Sequence, residues 1–84
     1  MEIRLDGRKA LITGGSKGLG LAMATTFAKS GADVALLART ASEVSEAAEA
    51  LAAATGRLCR GYACDVANAS EIGRTFALVH ADFG

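Results

Sequence analysis

Three short apolar runs divide this chain of 84 residues. Residues 9–13, 34–38 and about 58–64 each predict a β-strand. The second run is continuously apolar rather than alternating, which is typical of a strand covered on both faces of a sheet. A segment with a helical pattern follows each run, so strands and helices are predicted to alternate along the chain.

Each helical segment carries apolar residues at the i, i+3, i+4 spacing that predicts one buried face. Gly31 and Gly56 are predicted to end the first two helices, and the third is predicted from about Ala69 to Phe83. The predicted apolar stripes are Leu19, Met23 and Phe27 in the first helix, Val44, Ala47, Ala48, Leu51 and Ala52 in the second, and Ala69, Ile72, Phe76, Val79 and Phe83 in the third. Beside the first stripe lie Gly20, Ala24 and Ala28, small residues that should let the helix approach the sheet closely.

The order β-α-β-α-β-α predicts an α/β fold, because right-handed crossovers place such strands parallel in one sheet. The strands should lie side by side in the order 3-2-1, which is the first half of a Rossmann-like doubly wound sheet. We expect residues 1–84 to form one partial dinucleotide-binding domain, since open α/β domains commonly need about 100 to 200 residues.

Charge and hydropathy narrow the classes of partner. Nine basic residues balance nine acidic ones, so no single-sign field is present to attract nucleic acid or a membrane surface. No apolar run approaches the roughly 20 residues of a membrane span, and residues 1–6 lack the pattern of a signal peptide. We therefore expect a cytoplasmic protein that binds neither nucleic acid nor membrane.

The two cysteines, Cys59 and Cys64, lie five positions apart in one predicted strand. Their side chains should point to opposite faces, which prevents a disulfide between them. Metal binding would favour a two-residue spacing or nearby histidines, and the only histidine is His80 in the third helix. Both cysteines are predicted to be small buried apolar residues.

A glycine-rich run, Thr13-Gly14-Gly15-Ser16-Lys17-Gly18-Leu19-Gly20, joins the first strand to the first helix. A phosphate held at a helix N-terminus needs unpaired backbone N–H groups and no side chain in the way, and glycines at the turn meet both needs. The spacing G-x-x-x-G-x-G differs from the phosphate loop and from the G-x-G-x-x-G fingerprint. The alternative is a tight turn that only allows close helix packing.

With Thr13 in front, this spacing resembles the cofactor turn T-G-x-x-x-G-x-G of the short-chain dehydrogenase/reductase family, and the resemblance extends over the whole chain. It implies an oxidoreductase that uses a nicotinamide dinucleotide. The cofactor-binding positions that it implies in this run are Gly14, Ser16, Lys17, Gly18, Leu19 and Gly20.

The C-terminal end of the second strand bears on the choice of cofactor. A Rossmann half that binds NAD carries an acidic residue there, whereas this chain reads Ala38-Arg39-Thr40 with no carboxylate. Asp33 begins that strand, about 17 Å from its far end, and cannot reach the ribose. Family members that prefer NADP carry basic residues at the positions of Lys17 and Arg39, so NADP(H) is favoured over NAD(H). The resemblance therefore implies Arg39 and Thr40 as cofactor-binding positions at this strand end. The alternative is that Lys17 and Arg39 are two solvated surface cations.

Asp65 and Val66 follow the third strand. In the family, the aspartate at this place hydrogen-bonds the adenine amino group and the next residue packs on the ring. Asp65 could equally cap the third helix, although Asn68 and Ser70 compete for that role.

The family's catalytic Tyr-x-x-x-Lys pair is absent from this sequence. The one tyrosine, Tyr62, is followed four positions later by Val66, and all three lysines precede it. We expect an amino-terminal fragment that ends before the fourth strand, which would leave one edge of the first strand unpaired and favour self-association or pairing with a missing carboxy-terminal part.

Two functions remain open from the sequence. The first is the cofactor half-site of an NADP(H)-dependent enzyme that acts on a carbonyl or alcohol. The alternative is a stand-alone nucleotide-binding or regulatory module without catalysis.

Overall fold

The structure, a computed structural model, describes residues 3–6, 9–14, 18–65 and 67–83. The strands are β1 (Ile3–Asp6), β2 (Lys9–Thr13), β3 (Asp33–Ala38) and β4 (Cys59–Ala63), and the helices are α1 (Gly18–Lys29), α2 (Ala41–Thr55) and α3 (Ala69–Phe83).

The sheet has the order β1-β2-β3-β4, in which β2, β3 and β4 are parallel. Lys9 pairs with Asp33, and Val34 pairs with Cys59. Read from the other side, the three parallel strands have the predicted order 3-2-1, which confirms the Rossmann-like fold class. The continuous apolar run in β3 is buried on both faces from Val34 to Leu37, as its pattern predicted.

The strand β1 was not predicted. It pairs antiparallel with β2, from Ile3 opposite Ile12 to Asp6 opposite Lys9. The expectation that the edge of β2 is unpaired was therefore wrong. Its four residues do alternate between apolar and polar types (Ile3, Arg4, Leu5, Asp6), which is the period of two that marks a strand, so this signal was present and was missed. Only two residues separate β1 from β2, which is the length of a tight hairpin connection.

The main core lies on one face of the sheet, beneath α1 and α2. Ala10, Ile12, Val34, Leu36 and Cys59 of the strands pack there against residues of these helices: Ala24, Ala28, Val44, Ala48 and Leu51. The small residues of α1 are its buried ones and allow it to approach the sheet closely, as predicted. The predicted stripe beside them is less buried than expected, because Met23 and Phe27 are only partly buried and Leu19 is exposed. The main chain of α2 comes even closer, because a Cβ atom placed on Gly61 would lie 2.7 Å from the carbonyl carbon of Val44.

The third helix covers the opposite face. Tyr62 is the partner of Leu37 in the ladder, so its side chain projects away from α2, and its hydroxyl donates a hydrogen bond to Asp82 of α3. Thr75 is the one residue of α3 that is fully buried, and the predicted stripe from Ile72 to Phe83 is half-buried. This face is therefore covered less completely than the other.

Helix ends and cysteines agree with their sequence signals. Gly56 adopts the left-handed conformation (φ 70°) that ends α2, and its N–H donates to the carbonyl of Ala52. Cys59 and Cys64 are both buried free thiols. Burial raises the pKa of the Cys59 thiol, which keeps it protonated and unreactive.

Candidate functional site

A cavity of about 360 Å³ lies at the carboxyl ends of β2, β3 and β4. Because the three strands are parallel, the segments that follow them meet at one edge of the sheet. This edge is where open α/β folds bind ligands. The cavity is lined by Gly14, Leu37, Ala38, Arg39, Cys64, Asp65 and Ala67.

Gly14 connects the glycine-rich run to the sheet. Its φ of 68° lies in the left-handed region, and its N–H donates to the carbonyl of Leu37 at 2.7 Å. This N–H is therefore not one of the unpaired donors that the sequence predicted for a phosphate. Gly14 instead turns the chain away from β2 beside the cavity, in a conformation that glycine adopts without steric cost.

The first turn of α1 holds the other predicted glycines. Gly18 has a φ of 58° and is exposed, whereas Gly20 is buried where the helix meets the sheet. The backbone N–H groups of the first turn have no partner within the helix, so they form a positive end that suits an anion. Leu19 is 68% exposed at this end. Ser16 and Lys17 lie outside the described residues.

Arg39 follows β3 directly and is exposed at the cavity. No carboxylate within the described part of the chain forms an ion pair with it. Thr40 begins α2 as its N-cap residue without a side-chain cap bond, and its carbonyl accepts the N–H of Val44 at 3.1 Å. Both positions predicted from the end of the second strand therefore lie at this end of β3, and Arg39 contacts the cavity.

Asp33 lies at the opposite end of β3 and has a structural role there. One of its carboxylate oxygens lies 3.1 Å from a guanidinium nitrogen of Arg57 and accepts the N–H of Leu58 at 3.2 Å. These bonds join the start of β3 to the start of β4. The inference that Asp33 is remote from the cofactor end of the strand is confirmed by its position.

Asp65 lines the cavity, and Asn68 caps α3. The side-chain oxygen of Asn68 accepts the N–H groups of Ser70 at 3.0 Å and Glu71 at 3.2 Å, which is the N-cap arrangement. A carboxylate oxygen of Asp65 accepts the N–H of Ala67 at 3.0 Å and so shapes the loop before the helix. Asp65 therefore lines the cavity, and Asn68 rather than Asp65 caps α3. Val66 lies outside the described residues.

Tyr62 is unsuited to proton exchange with a substrate. Its hydroxyl donates to a carboxylate oxygen of Asp82 at 2.6 Å, on the face of the sheet beneath α3. Burial and the neighbouring Asp82 carboxylate raise the pKa of Tyr62 well above its ordinary value. A catalytic tyrosine needs the opposite shift, toward the working pH.

Four residues of the cavity were not predicted: Leu37, Ala38, Cys64 and Ala67. They give it an apolar wall between Arg39 and Asp65, which suits a flat ring such as a nucleobase. The signal for them was available, because they stand at the last positions of the predicted strands or just beyond. Nothing in their residue types, however, distinguishes a cavity wall from a core.

Comparison with known proteins gives a consistent result. The model of the short chain dehydrogenase family matches residues 8–84. The D-threitol dehydrogenase of Mycolicibacterium smegmatis is 43% identical over 86 residues, which cover 99% of this chain and 32% of that protein. The L-sorbose reductase of Gluconobacter frateurii, solved with NADPH and L-sorbose, superimposes with a TM-score of 0.88 at 38% identity, covering 100% of this chain and 32% of that one.

An NAD⁺-bound xylitol dehydrogenase also superimposes, with a TM-score of 0.87 at 32% identity, over 94% of this chain and 30% of that one. The chain thus spans about a third or less of the length of its relatives. Both nicotinamide dinucleotides occur among the similar structures. Among the described residues, no helix is long and apolar enough to cross a membrane.

Proposed function

This chain belongs to the short-chain dehydrogenase family, and we propose that it supplies the NADP(H)-binding half-site of an oxidoreductase that interconverts a carbonyl and an alcohol. The nicotinamide cofactor supplies the hydride in such a reaction. The residues of this chain bind and orient the adenosine half and the pyrophosphate of that cofactor.

Arg39 is the residue that favours NADP(H) over NAD(H). It stands at the end of β3, beside the cavity, where a dinucleotide site selective for NAD would place a carboxylate. A 2′-phosphate adds negative charge at this position, and a guanidinium can hold it through two parallel charge-assisted hydrogen bonds. The absence of an ion-pair partner among the described residues supports this role, because the charge of Arg39 is left for a ligand.

The other contacts are assigned from Asp65 at the cavity, from the start of α1 and from the resemblance to the family. The amides at the start of α1, from Gly18 to Gly20, would bind the pyrophosphate, because they point out of the helix end. Asp65 would accept a hydrogen bond from the adenine amino group, with the ring against the apolar wall. From the resemblance to the family we assign Ser16 and Leu19 to the pyrophosphate, Lys17 and Thr40 to the 2′-phosphate together with Arg39, and Val66 to the adenine ring.

Tyr62 favours a second candidate function, which is nucleotide binding without catalysis. The only tyrosine of the chain is bonded to Asp82, and no Tyr-x-x-x-Lys sequence is present. On this account the 84 residues bind cofactor but do not turn it over alone. Turnover of NADPH with aldehyde or ketone substrates by this chain alone would exclude the second candidate.

The test is the relative affinity for NADPH and NADH of the unchanged chain and of Arg39→Asp, measured by titration calorimetry. Loss of a charge-assisted bond of roughly 1.5–3 kcal/mol should weaken NADPH binding by at least tenfold and leave NADH unchanged or tighter. Arg74→Asp is the matched control, because Arg74 is an exposed arginine of α3 that does not line the cavity. Equal losses in both variants, or no loss in Arg39→Asp, would contradict the assignment.

A further inference from the structure

The edge of β2 that pairs with β1 is the edge at which this sheet would grow. The helices α1 and α2 lie on one face, and the chain moves across the sheet from β2 to β3 to β4. The helix α3 lies on the opposite face. Crossovers between parallel strands are right-handed. A crossover helix on this opposite face therefore carries the chain back across the sheet, so that the next parallel strand lies beyond β3 and β2. That strand would then have to pair with β2.

β1 already occupies this edge of β2 and runs antiparallel to it. β1 has four residues and pairs only with residues 9–12, whereas β3 pairs with all five residues of β2. A doubly wound sheet of strand order 3-2-1-4 has a parallel strand in this place. The two strands cannot occupy the same edge at once.

We propose that β1 is a displaceable cap on this sheet edge and that its replacement by a parallel strand is the docking step for the second half of the family's fold. The occupant to which we assign the edge is the fourth strand of a short-chain dehydrogenase sheet. The cap protects a row of backbone groups that would otherwise pair with another chain.

The hydrogen-bond pattern of β2 identifies the residues that hold the cap. The N–H of Gly14 donates toward β3, to Leu37, and successive residues of a strand point their N–H groups to alternate sides. The N–H of Leu11 therefore points to β1. Arg4 is opposite Leu11, so this pair exchanges two backbone bonds, whereas Ile3 and Ile12 form a pair that does not.

Two proline substitutions follow from this pattern. Arg4→Pro removes an N–H that bonds to β2 and should release the cap. Ile3→Pro is the matched control, because the N–H of Ile3 points away from β2 and proline is tolerated at the first residue of a strand. Hydrogen exchange of the amides of β3 and β4 shows whether each variant keeps the rest of the sheet.

The probe is a synthetic peptide with the sequence of the fourth strand of the D-threitol dehydrogenase of Mycolicibacterium smegmatis. Its affinity is measured by NMR titration of the unchanged chain and both variants. If β1 covers the edge about nine-tenths of the time, its release should tighten binding about tenfold in Arg4→Pro and leave Ile3→Pro close to the unchanged chain. The bound peptide should protect the amide of Leu11 from exchange.

Three results would overturn the proposal. Equal affinities in all three proteins would show that β1 does not compete with the peptide. Failure of the peptide to bind an Arg4→Pro variant that keeps β3 and β4 protected would show that the edge does not accept a parallel strand. Self-association of that variant, with no peptide bound, would assign the edge to a second copy of the chain.

Discussion

Gly61 is the position where the packing of α2 on the sheet leaves no room for a side chain. A Cβ atom there would lie inside contact distance of the Val44 carbonyl oxygen, 2.7 Å from the carbonyl carbon and 3.1 Å from the nitrogen of Ser45. All of these atoms belong to the main chain of α2, so no side chain can rotate away. The substitution Gly61→Ala must therefore push the helix off β4.

The cost follows from what the displaced helix buries. Val44, Ala48 and Leu51 of α2 are all in the core. Overpacking of this kind costs about 1–3 kcal/mol. Alanine also lowers the conformational entropy of the unfolded chain, which offsets about 0.4–1 kcal/mol of that cost. We expect Gly61→Ala to lower the free energy of unfolding by about 1–2 kcal/mol, which corresponds to roughly 4–16 °C in Tm for a domain of this size.

The assay is urea unfolding followed by circular dichroism, with Gly73→Ala as the control. Gly73 lies in α3, and a Cβ atom placed on it would have nothing within 4 Å, so alanine there should stabilise the helix by about 0.5–1 kcal/mol. The two substitutions add the same methyl group and should act in opposite directions. A Gly61→Ala variant as stable as the unchanged chain would refute the close packing of α2 on β4.

Three further predictions concern the contacts of α3. Tyr62 is the only tyrosine of a chain without tryptophan, so the ultraviolet absorbance of tyrosinate reports on Tyr62 alone. Tyr62 should ionise well above pH 10 in the folded chain and at lower pH in Asp82→Asn. The same titration curve in both proteins would refute the contact between Tyr62 and Asp82. The pKa of Tyr62 is raised on folding, so Tyr62 adds to the free energy of unfolding at pH values below its unfolded pKa of about 10, and this contribution is lost as the pH rises further. In urea unfolding, Tyr62→Phe should therefore show a weaker dependence of the free energy of unfolding on pH. Asn68→Ala should lower the free energy of unfolding by about 1 kcal/mol through loss of the α3 cap, whereas Asn68→Asp should keep most of that stability. Equal losses of stability in the two variants, measured by urea unfolding, would contradict the capping role.

The parallel part of the fold could be predicted because each signal was local. The apolar run of β3, the small residues of α1 and Gly56 each determine one element, and right-handed crossovers then leave one arrangement of β2, β3 and β4. The alternating residues of β1 were also a local signal, but they do not say with which strand it pairs. Its pairing depends on an edge of β2 that is defined only once the sheet has formed.

Some residues of the candidate site could also be predicted from the sequence, whereas others could not. Arg39 and Asp65 could be predicted because they directly follow strands, and parallel strands bring their carboxyl ends together. The choice of Asn68 over Asp65 as the helix cap depended on where α3 begins, which sequence patterns locate only approximately. The bond between Tyr62 and Asp82 joins residues 20 positions apart, and no local pattern could indicate it.

The central claim is that the cavity at the carboxyl ends of β2, β3 and β4 binds NADP(H). The most direct measurement is titration of the unchanged 84-residue chain with NADPH and with NADH, with the amides of residues 38–39 and 65 followed by NMR. We predict saturable binding of both, tighter for NADPH, with shifts concentrated at these residues. Equal affinity or a preference for NADH would contradict the role of Arg39, and shifts confined to other surfaces would contradict the site itself.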